Sequence, residues 1–141
     1  MASTLSAWAR AFLCEDRVGV VGTLNEDGSP HLTTMWYLLA DDDTLIMTTL
    51  RANQKVRNLR RDPRSTFCVG DKTRSVSLSG HVTISEDREM VWRDLERLVS
   101  RYVQDEGIRP RVVATWMQQP HVTLHFKPER VSEFSVSPLR Y

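Results

Sequence analysis

RVGVVGTLNEDGSPHLTTMWYLLADDDTLIMTTL, residues 17–50, is the stretch on which the fold turns. Arg17–Leu24 is β-branched and apolar on both faces, the pattern of a strand covered on two sides. Asn25-Glu26-Asp27-Gly28 follows, and an Asp-Gly pair between apolar runs is a strong hairpin signal. Pro30 opens a second strand, PHLTTMWYLLA (30–40), Asp41-Asp42-Asp43 makes the next turn, and Thr44–Leu50 is a third strand. Tight turns between the three predict an antiparallel meander. A small barrel has one interior, so the second apolar face of these strands needs a cover, either a long helix or another subunit. A homodimer is the expectation.

On the N-terminal side, Ser3 or Thr4 is placed to cap a short helix running to about Cys14, with Leu5, Trp8, Ala9 and Phe12 on one face. Beyond residue 50, Arg51-Ala52-Asn53 breaks the strand and Gln54–Arg61 reads as a short helix, Val56 and Leu59 inward and its arginines outward, ended by Asp62-Pro63. Arg64–Gly70 is a fourth strand. Arg74–Ile84 (RSVSLSGHVTI) alternates cleanly as a fifth, with Gly80 marking a bend or bulge. Ser85 caps a longer helix with Glu86 and Asp87 in its first turn. Its apolar stripe runs through Val91, Leu95, Leu98 and Tyr102, and Gly107 ends it. Residues 110–119 read as a further helical turn or two. His121–Phe126 and Arg130–Val136 are the last strands, split by Lys127-Pro128-Glu129. The fold class is therefore all-β with a few helices. It is a six- to seven-stranded antiparallel Greek-key barrel, which disposes of sheet edges, in a single domain spanning residues 1–141.

The composition is that of an ordinary globular chain of 141 residues, enough for one domain. Nineteen Lys and Arg against eighteen Asp and Glu, a net charge of +1, give no electrostatic reason to expect nucleic acid. Cys14 and Cys68 lie in apolar stretches without a metal-ligand spacing and read as buried free thiols of a reducing compartment. No secretory signal pattern opens the chain and no apolar run approaches membrane-spanning length, so the expected location is the cytoplasm, without a membrane partner.

Motifs for protein-based catalysis are missing: no G-x-S-x-G, no Walker-type loop, no H-E-x-x-H, no G-x-G-x-x-G. His121 and His125 are four apart, and on a strand that is about 13 Å, too far to share a metal. No catalytic side chain and no metal ligand is assigned, so a cofactor is expected to carry any chemistry. TLIMTTLRANQKVRNLRRDPR (44–64) is the place for one. A strand bearing Thr48 and Thr49, one hydroxyl on each face, runs into a helix N-terminus, whose unpaired N–H groups suit a phosphate. Lys55 adds a point charge, and Asn53 and Gln54 add amide donors. The same residues also read as a solvated basic helix face capped by Asn53. Arg60, Arg61 and Arg64 read as exposed charges.

These motifs together resemble the split-barrel flavin-binding superfamily typified by pyridoxamine 5'-phosphate oxidase. GTLNEDGSPH (22–31) resembles the family's first hairpin. The proline-led strand, the strand–break–Lys helix, DPRS (62–65), the strand ending SGHV and FKPERVSEF (126–134) follow in the family's order. The resemblance implies cofactor contacts at Thr33, Thr34, Met35 and Trp36, at Met47, Thr48 and Thr49, and at Gln54 and Lys55, with Asn58 at the same end; Asn53 joins them on its spacing as an amide donor. Thr33 and Gln54 stand where the oxidase has arginines, and its substrate-phosphate residues have no counterpart here. The run NQKVRNLRRDPR (53–64) is closer to the branch that uses the deazaflavin coenzyme F420. The implied function is an F420-dependent reductase acting on a small organic substrate, such as an enone, a quinone or a tetrapyrrole. The alternatives are an FMN-dependent member and a non-catalytic flavin- or haem-binding one. Arg51, Arg57 and Arg60 would face a longer anionic tail, and Met35, Trp36 and Tyr37 would line the ring pocket or pack the core.

Overall fold

A computed structural model describes residues 5–137 of the protein. In chain order the elements are α1 (Ala7–Cys14), β1 (Gly19–Leu24), β2 (Pro30–Met35), β3 (Leu38–Leu39), β4 (Leu45–Leu50), α2 (Gln54–Arg61), β5 (Arg64–Gly70), β6 (Arg74–Ser85), α3 (Arg88–Tyr102), α4 (Arg109–Trp116) and β7 (His121–Ser135). A single 3₁₀ turn, Glu106–Ile108, leads into α4. All seven strands join one antiparallel sheet in the order β2-β1-β5-β6-β7-β4-β3.

β2 and β3 stand at opposite ends of that order, yet only Trp36 and Tyr37 separate them in the chain. A flat seven-stranded sheet would hold its edges about 29 Å apart. The chain from Met35 to Leu38 spans at most about 11 Å. The sheet therefore curls until its two edges meet, which makes a half-barrel with one seam. Tyr37 anchors the seam. It is fully buried, its hydroxyl donates to the Leu13 carbonyl at 2.6 Å, and its ring meets Phe67 edge-on at 5.1 Å. Burial pushes the phenol's pKa up to about 12, against the pull of the Arg101 guanidinium beside it. From the end of α3, Arg101 donates to the carbonyls of Tyr37, Leu13 and Glu15.

Seven strands, the upper end of the expected six to seven, are reached through two errors that cancel. The strand read over 30–40 breaks at Trp36-Tyr37 into β2 and β3, so the meander is corrected to two separate hairpins, β1–β2 and β3–β4, at opposite edges of the sheet. The two strands read on either side of Lys127-Pro128-Glu129 are one strand, β7. The break is a bulge there, because Ser79 faces Arg130 while Gly80 faces Pro128, leaving Glu129 as the extra residue. Gly80 is needed at that point: a Cβ would lie 2.0 Å from the Lys127 carbonyl oxygen. Pro128 is tolerated because the bulge removes the ladder bond it cannot donate.

Turn chemistry agrees with the sequence at the first hairpin. Gly28 adopts φ 85°, the Asn25 amide donates to the Ser29 carbonyl at 2.9 Å, and Asp27 accepts from the Ser29 amide at 2.9 Å. Helix starts are shifted. Ser3 and Thr4 lie outside the described residues, and the cap of α1 is Ser6, whose hydroxyl accepts from the Ala9 amide at 3.0 Å. Ser85 does not cap α3: Asp87 holds that position, and the Ser85 hydroxyl accepts from the Asp87 amide. The helix ends at Tyr102, before Gly107. The cysteines are free as expected but exposed rather than buried. Cys68 alternates with the buried Phe67 and Val69 and so points outward from β5, and Cys14 closes the solvent side of α1.

The main core fills the half-barrel with Val21, Leu45, Met47, Phe67, Val69, Val76, Leu78, Leu124 and Phe126, closed at one end by α1 and at the other by α2. A second cluster lies outside the sheet, where Val91, Leu95 and Val99 of α3 pack on Val113 and Met117 with Trp36 and Trp92 beside them. Asp94 holds α3 to β7. It is buried, accepts from Thr123 Oγ1 at 2.7 Å and pairs with His125 Nε2 at 3.0 Å. Burial raises its pKa, but the bonds from His125 and Thr123 outweigh that and hold it below the usual carboxylate range. Among the described residues no helix is long and apolar enough to cross a membrane.

The Gly80→Ala variant must push β6 and β7 apart at the bulge. It is expected to lose about 1–3 kcal/mol of stability in denaturant melts, the range for overpacking against atoms that cannot move aside. A stability equal to the parent's would show the bulge accommodates a side chain.

Candidate functional site

The seam is where backbone and side-chain polar groups come free. β3 pairs with β4 only through Leu38–Ile46 and Leu39–Leu45. Extending that register would set Tyr37 opposite Met47 and Trp36 opposite Thr48. Instead the chain leaves β4 at this point and β2 pairs with β1, Thr33 lying opposite Val21 and Thr34 opposite Val20. Met47–Leu50 keep β7 as their partner on one side and have no strand on the other, among the described residues. The barrel is closed by the chain and left open by the hydrogen bonds.

At the end of this slot β4 runs into α2. Alternation puts the two threonine hydroxyls on opposite faces, as the sequence predicts, and the structure turns Met47 and Thr49 inward and Thr48 outward. Thr49 is buried and its hydroxyl oxygen accepts from two donors, Asn53 Nδ2 at 2.9 Å and Lys55 Nζ at 3.1 Å. The hydroxyl's own hydrogen is then left to donate. Asn53 stands at the N-cap of α2 but makes no side-chain cap bond, since its amide is turned to Thr49. The first N–H groups of α2 stay uncapped, with the partial positive charge of the helix end.

Lys55 is the exceptional group. Only 5% of the residue is exposed, its ammonium donates to a neutral hydroxyl, that of Thr49, and among the described residues no carboxylate forms an ion pair with it. Burial lowers its pKa. A buried ammonium with one hydrogen bond of its three is a destabilising arrangement in the absence of an anion.

A cavity of about 500 Å³ lies against this cluster. Thr48, Thr49, Leu50 and Asn53 form one wall, and Thr115, Trp116, Gln118, Gln119 and His121 the other. Sequence reasoning missed that second wall entirely. Residues 110–119 read only as a helical turn or two, and no motif ties them to β4, which they approach because β7 pairs with it, Leu50 opposite His121. His121 Nδ1 sits 2.8 Å from the Gln119 carbonyl, which fixes the ring at the cavity's rim.

The other residues expected here divide. Thr33 has a buried hydroxyl with no partner, the one such side-chain atom among the described residues. Thr34 is exposed on the opposite face of β2, and Met35 packs against the main core. Trp36 joins the outer cluster and stacks on Tyr102 at 4.8 Å. Met47 is fully buried core. Tyr37 is core as well, not pocket lining. Gln54 and Asn58 brace the helix: Gln54 Nε2 donates to Asn58 Oδ1 at 2.8 Å, and Asn58, fully buried, donates to Thr23 Oγ1 and Asn25 Oδ1, both at 3.0 Å. Every polar atom of the Asn58 amide is engaged within the protein. Arg57, Arg60 and Arg61 are exposed, Arg60 and Arg51 reaching Glu86 at 3.4 and 3.7 Å.

A curled antiparallel sheet, open along one seam and provided there with a buried cation, oriented hydroxyls and an uncapped helix end, defines a protein of the split-barrel class. The chain belongs to the pyridoxamine 5'-phosphate oxidase family, whose profile matches residues 5–135. Among solved structures, a conserved hypothetical protein from Mycobacterium tuberculosis is 30% identical at a TM-score of 0.81, with 95% of this chain and 86% of that one covered. An F420 reductase superposes at 0.73 with 22% identity, covering 92% and 98% of the two chains. A FAD-binding protein from Mesorhizobium loti does so at 0.65, also with 22% identity, covering 96% and 98%.

The position of Lys55 makes a signed prediction. A lysine whose pKa is lowered in the folded state loses its proton there before it does in the unfolded chain. Its unfavourable contribution therefore shrinks as pH rises from the lowered value towards about 10.4, the ordinary lysine pKa. In thermal melts of the ligand-free protein, Lys55→Met is expected to be more stable than the parent at pH 7, with the difference narrowing towards pH 10. A less stable variant at pH 7 would show that the ammonium is well satisfied where it lies.

Proposed function

We propose that the protein is an F420-dependent oxidoreductase that holds the anionic part of its cofactor at Lys55. The buried, carboxylate-free ammonium is the observation that carries this reading. An anion at the mouth of α2 would meet the charge of Lys55, the free hydrogen of Thr49, the Thr48 hydroxyl, the Asn53 side chain and the uncapped N–H groups, a donor set suited to a phosphate. The orphaned Thr33 hydroxyl and the unpaired β4 backbone along the seam offer further polar contacts to a ring system. When bound, the reduced deazaflavin supplies a hydride to a small organic substrate. The chain's part is to bind, orient and exclude water.

F420 is preferred over FMN on the run 53–64 and on the fold likeness to an F420 reductase. The exposed Arg57 and Arg61, with Arg51 and Arg60, place positive charge beside the site for a longer anionic tail. FMN is the second reading, supported by the family match to an oxidase, and the FAD-binding neighbour shows that an ordinary flavin is held on a similar fold.

The working unit of this proposal is a homodimer in the cytoplasm. α3 and α4 cover the outer face of the sheet at β4 and β7, and among the described residues no helix covers it at β1, β2 and β5. Leu32 is 65% exposed there, and a groove of about 620 Å³ runs past it, lined by Gly22, Leu24, Thr66 and Gly80 among others. A second copy is the cover we assign to that face.

Absorbance of the purified protein, alone and with added F420 or FMN, distinguishes the two cofactors. Lys55→Ala is expected to weaken binding of the preferred one by about 1–3 kcal/mol, the value of a charge-assisted hydrogen bond. Unchanged affinity would place the anion elsewhere. Solution mass tests the dimer, and a clear monomer at micromolar concentration would refute it.

A further inference from the structure

We infer that Trp116 is the aromatic wall against which the planar ring of the bound ligand lies, a role that rests on the anion site proposed above. Three features of the cavity lead there. Trp116 sits on the last turn of α4 and lines the cavity across from Thr48, Thr49 and Asn53. It is 38% exposed and is the largest side chain of the lining, which is otherwise polar apart from Leu50. It is also braced from behind: its ring meets Trp36 at 5.3 Å, tilted by 42°, and Trp36 stacks on Tyr102 at 4.8 Å and 12°. Tyr102 is tied in turn to the Arg17 and Tyr37 carbonyls.

The column Trp116–Trp36–Tyr102 therefore holds one face of the indole and leaves the rest to the cavity. A ligand that fills the space must offer donors or charge at one end and a flat conjugated surface at the other. Such a surface stacks on an indole without needing hydrogen bonds to particular ring atoms. Trp116 then supports flavin and deazaflavin rings alike, and the choice between them is made elsewhere in the site.

Titration calorimetry with three probes separates this role from that of Lys55. FMN carries ring and phosphate, riboflavin the ring alone, and inorganic phosphate the anion alone. F420 replaces FMN if the wild type binds only the deazaflavin. Trp116→Leu keeps apolar bulk against Trp36 and removes the ring, while Trp116→Phe keeps a smaller ring. Trp116→Leu is expected to lose about tenfold in affinity for each ring-bearing probe that the wild type binds and to leave phosphate binding unchanged. Trp116→Phe is expected to recover most of the loss. Far-ultraviolet circular dichroism and a melt of each variant verify that α4 is intact. Ring-probe affinity in a folded Trp116→Leu equal to the parent's would overturn the assignment, as would an equal loss of phosphate binding. If Lys55→Ala leaves FMN and F420 affinity unchanged while Trp116→Leu weakens both, the anion site fails and the aromatic wall stands. Loss with Lys55→Ala alone gives the converse.

Discussion

Two residues, Trp36 and Tyr37, set the constraint on which the rest depends. They join strands at opposite ends of a seven-stranded sheet, and a chain that short cannot reach across a flat one. The sheet must curl, and it does so around a core of Val, Leu, Met and Phe side chains supplied by alternation on every strand. Because covalent continuity closes the half-barrel, the edges need not pair. β2 turns back to β1 and β4 keeps only β7 beyond Ile46. The seam is thus an opening lined by unpaired backbone, the kind of place where a ring system can be held without breaking a ladder.

The groups beside the seam are arranged at a cost to the empty protein. Among the described residues Lys55 is buried without a counter-ion and the Thr33 hydroxyl has no partner, and α2 begins without a side-chain cap because Asn53 turns to Thr49. Each would be repaired by a simple substitution if stability alone mattered. Among the described residues every other buried side-chain polar atom has a partner. Asn58 spends its whole amide on Thr23, Asn25, Gln54 and Arg61, and Asp94 has Thr123 and His125. Unmet donors in an otherwise well-satisfied structure are the physical ground on which the proposed site rests.

Much of the fold was legible from local pattern. The Asp-Gly hairpin, the alternation of 74–84, the short basic helix at 54–61 and the apolar stripe of α3 all follow from residues close in sequence. Errors fell where a long-range contact overrides a local signal. Pro128 reads as a strand end, yet it continues β7 because Gly80 across the ladder accepts a bulge. Trp36-Tyr37 reads as mid-strand, yet it is the bend, because Tyr37 finds a partner in Leu13 and Arg101. The same holds for the site. Thr48, Thr49, Asn53 and Lys55 lie within eight residues and were found together, whereas Trp116 and His121 come from the far end of the chain and carry no motif.

By itself, then, the sequence determined the strand-rich class, the family and the basic turn after β4, since each is written in side-chain period, turn chemistry or short-range spacing. Only the tertiary structure decided that the barrel is closed by a two-residue link and left open along its hydrogen bonds. Tertiary packing also decided that Lys55 is buried rather than displayed and that α4 forms the opposite wall. Those features depend on which strand lies beside which, and strand order is set by packing the whole core at once rather than by any one segment.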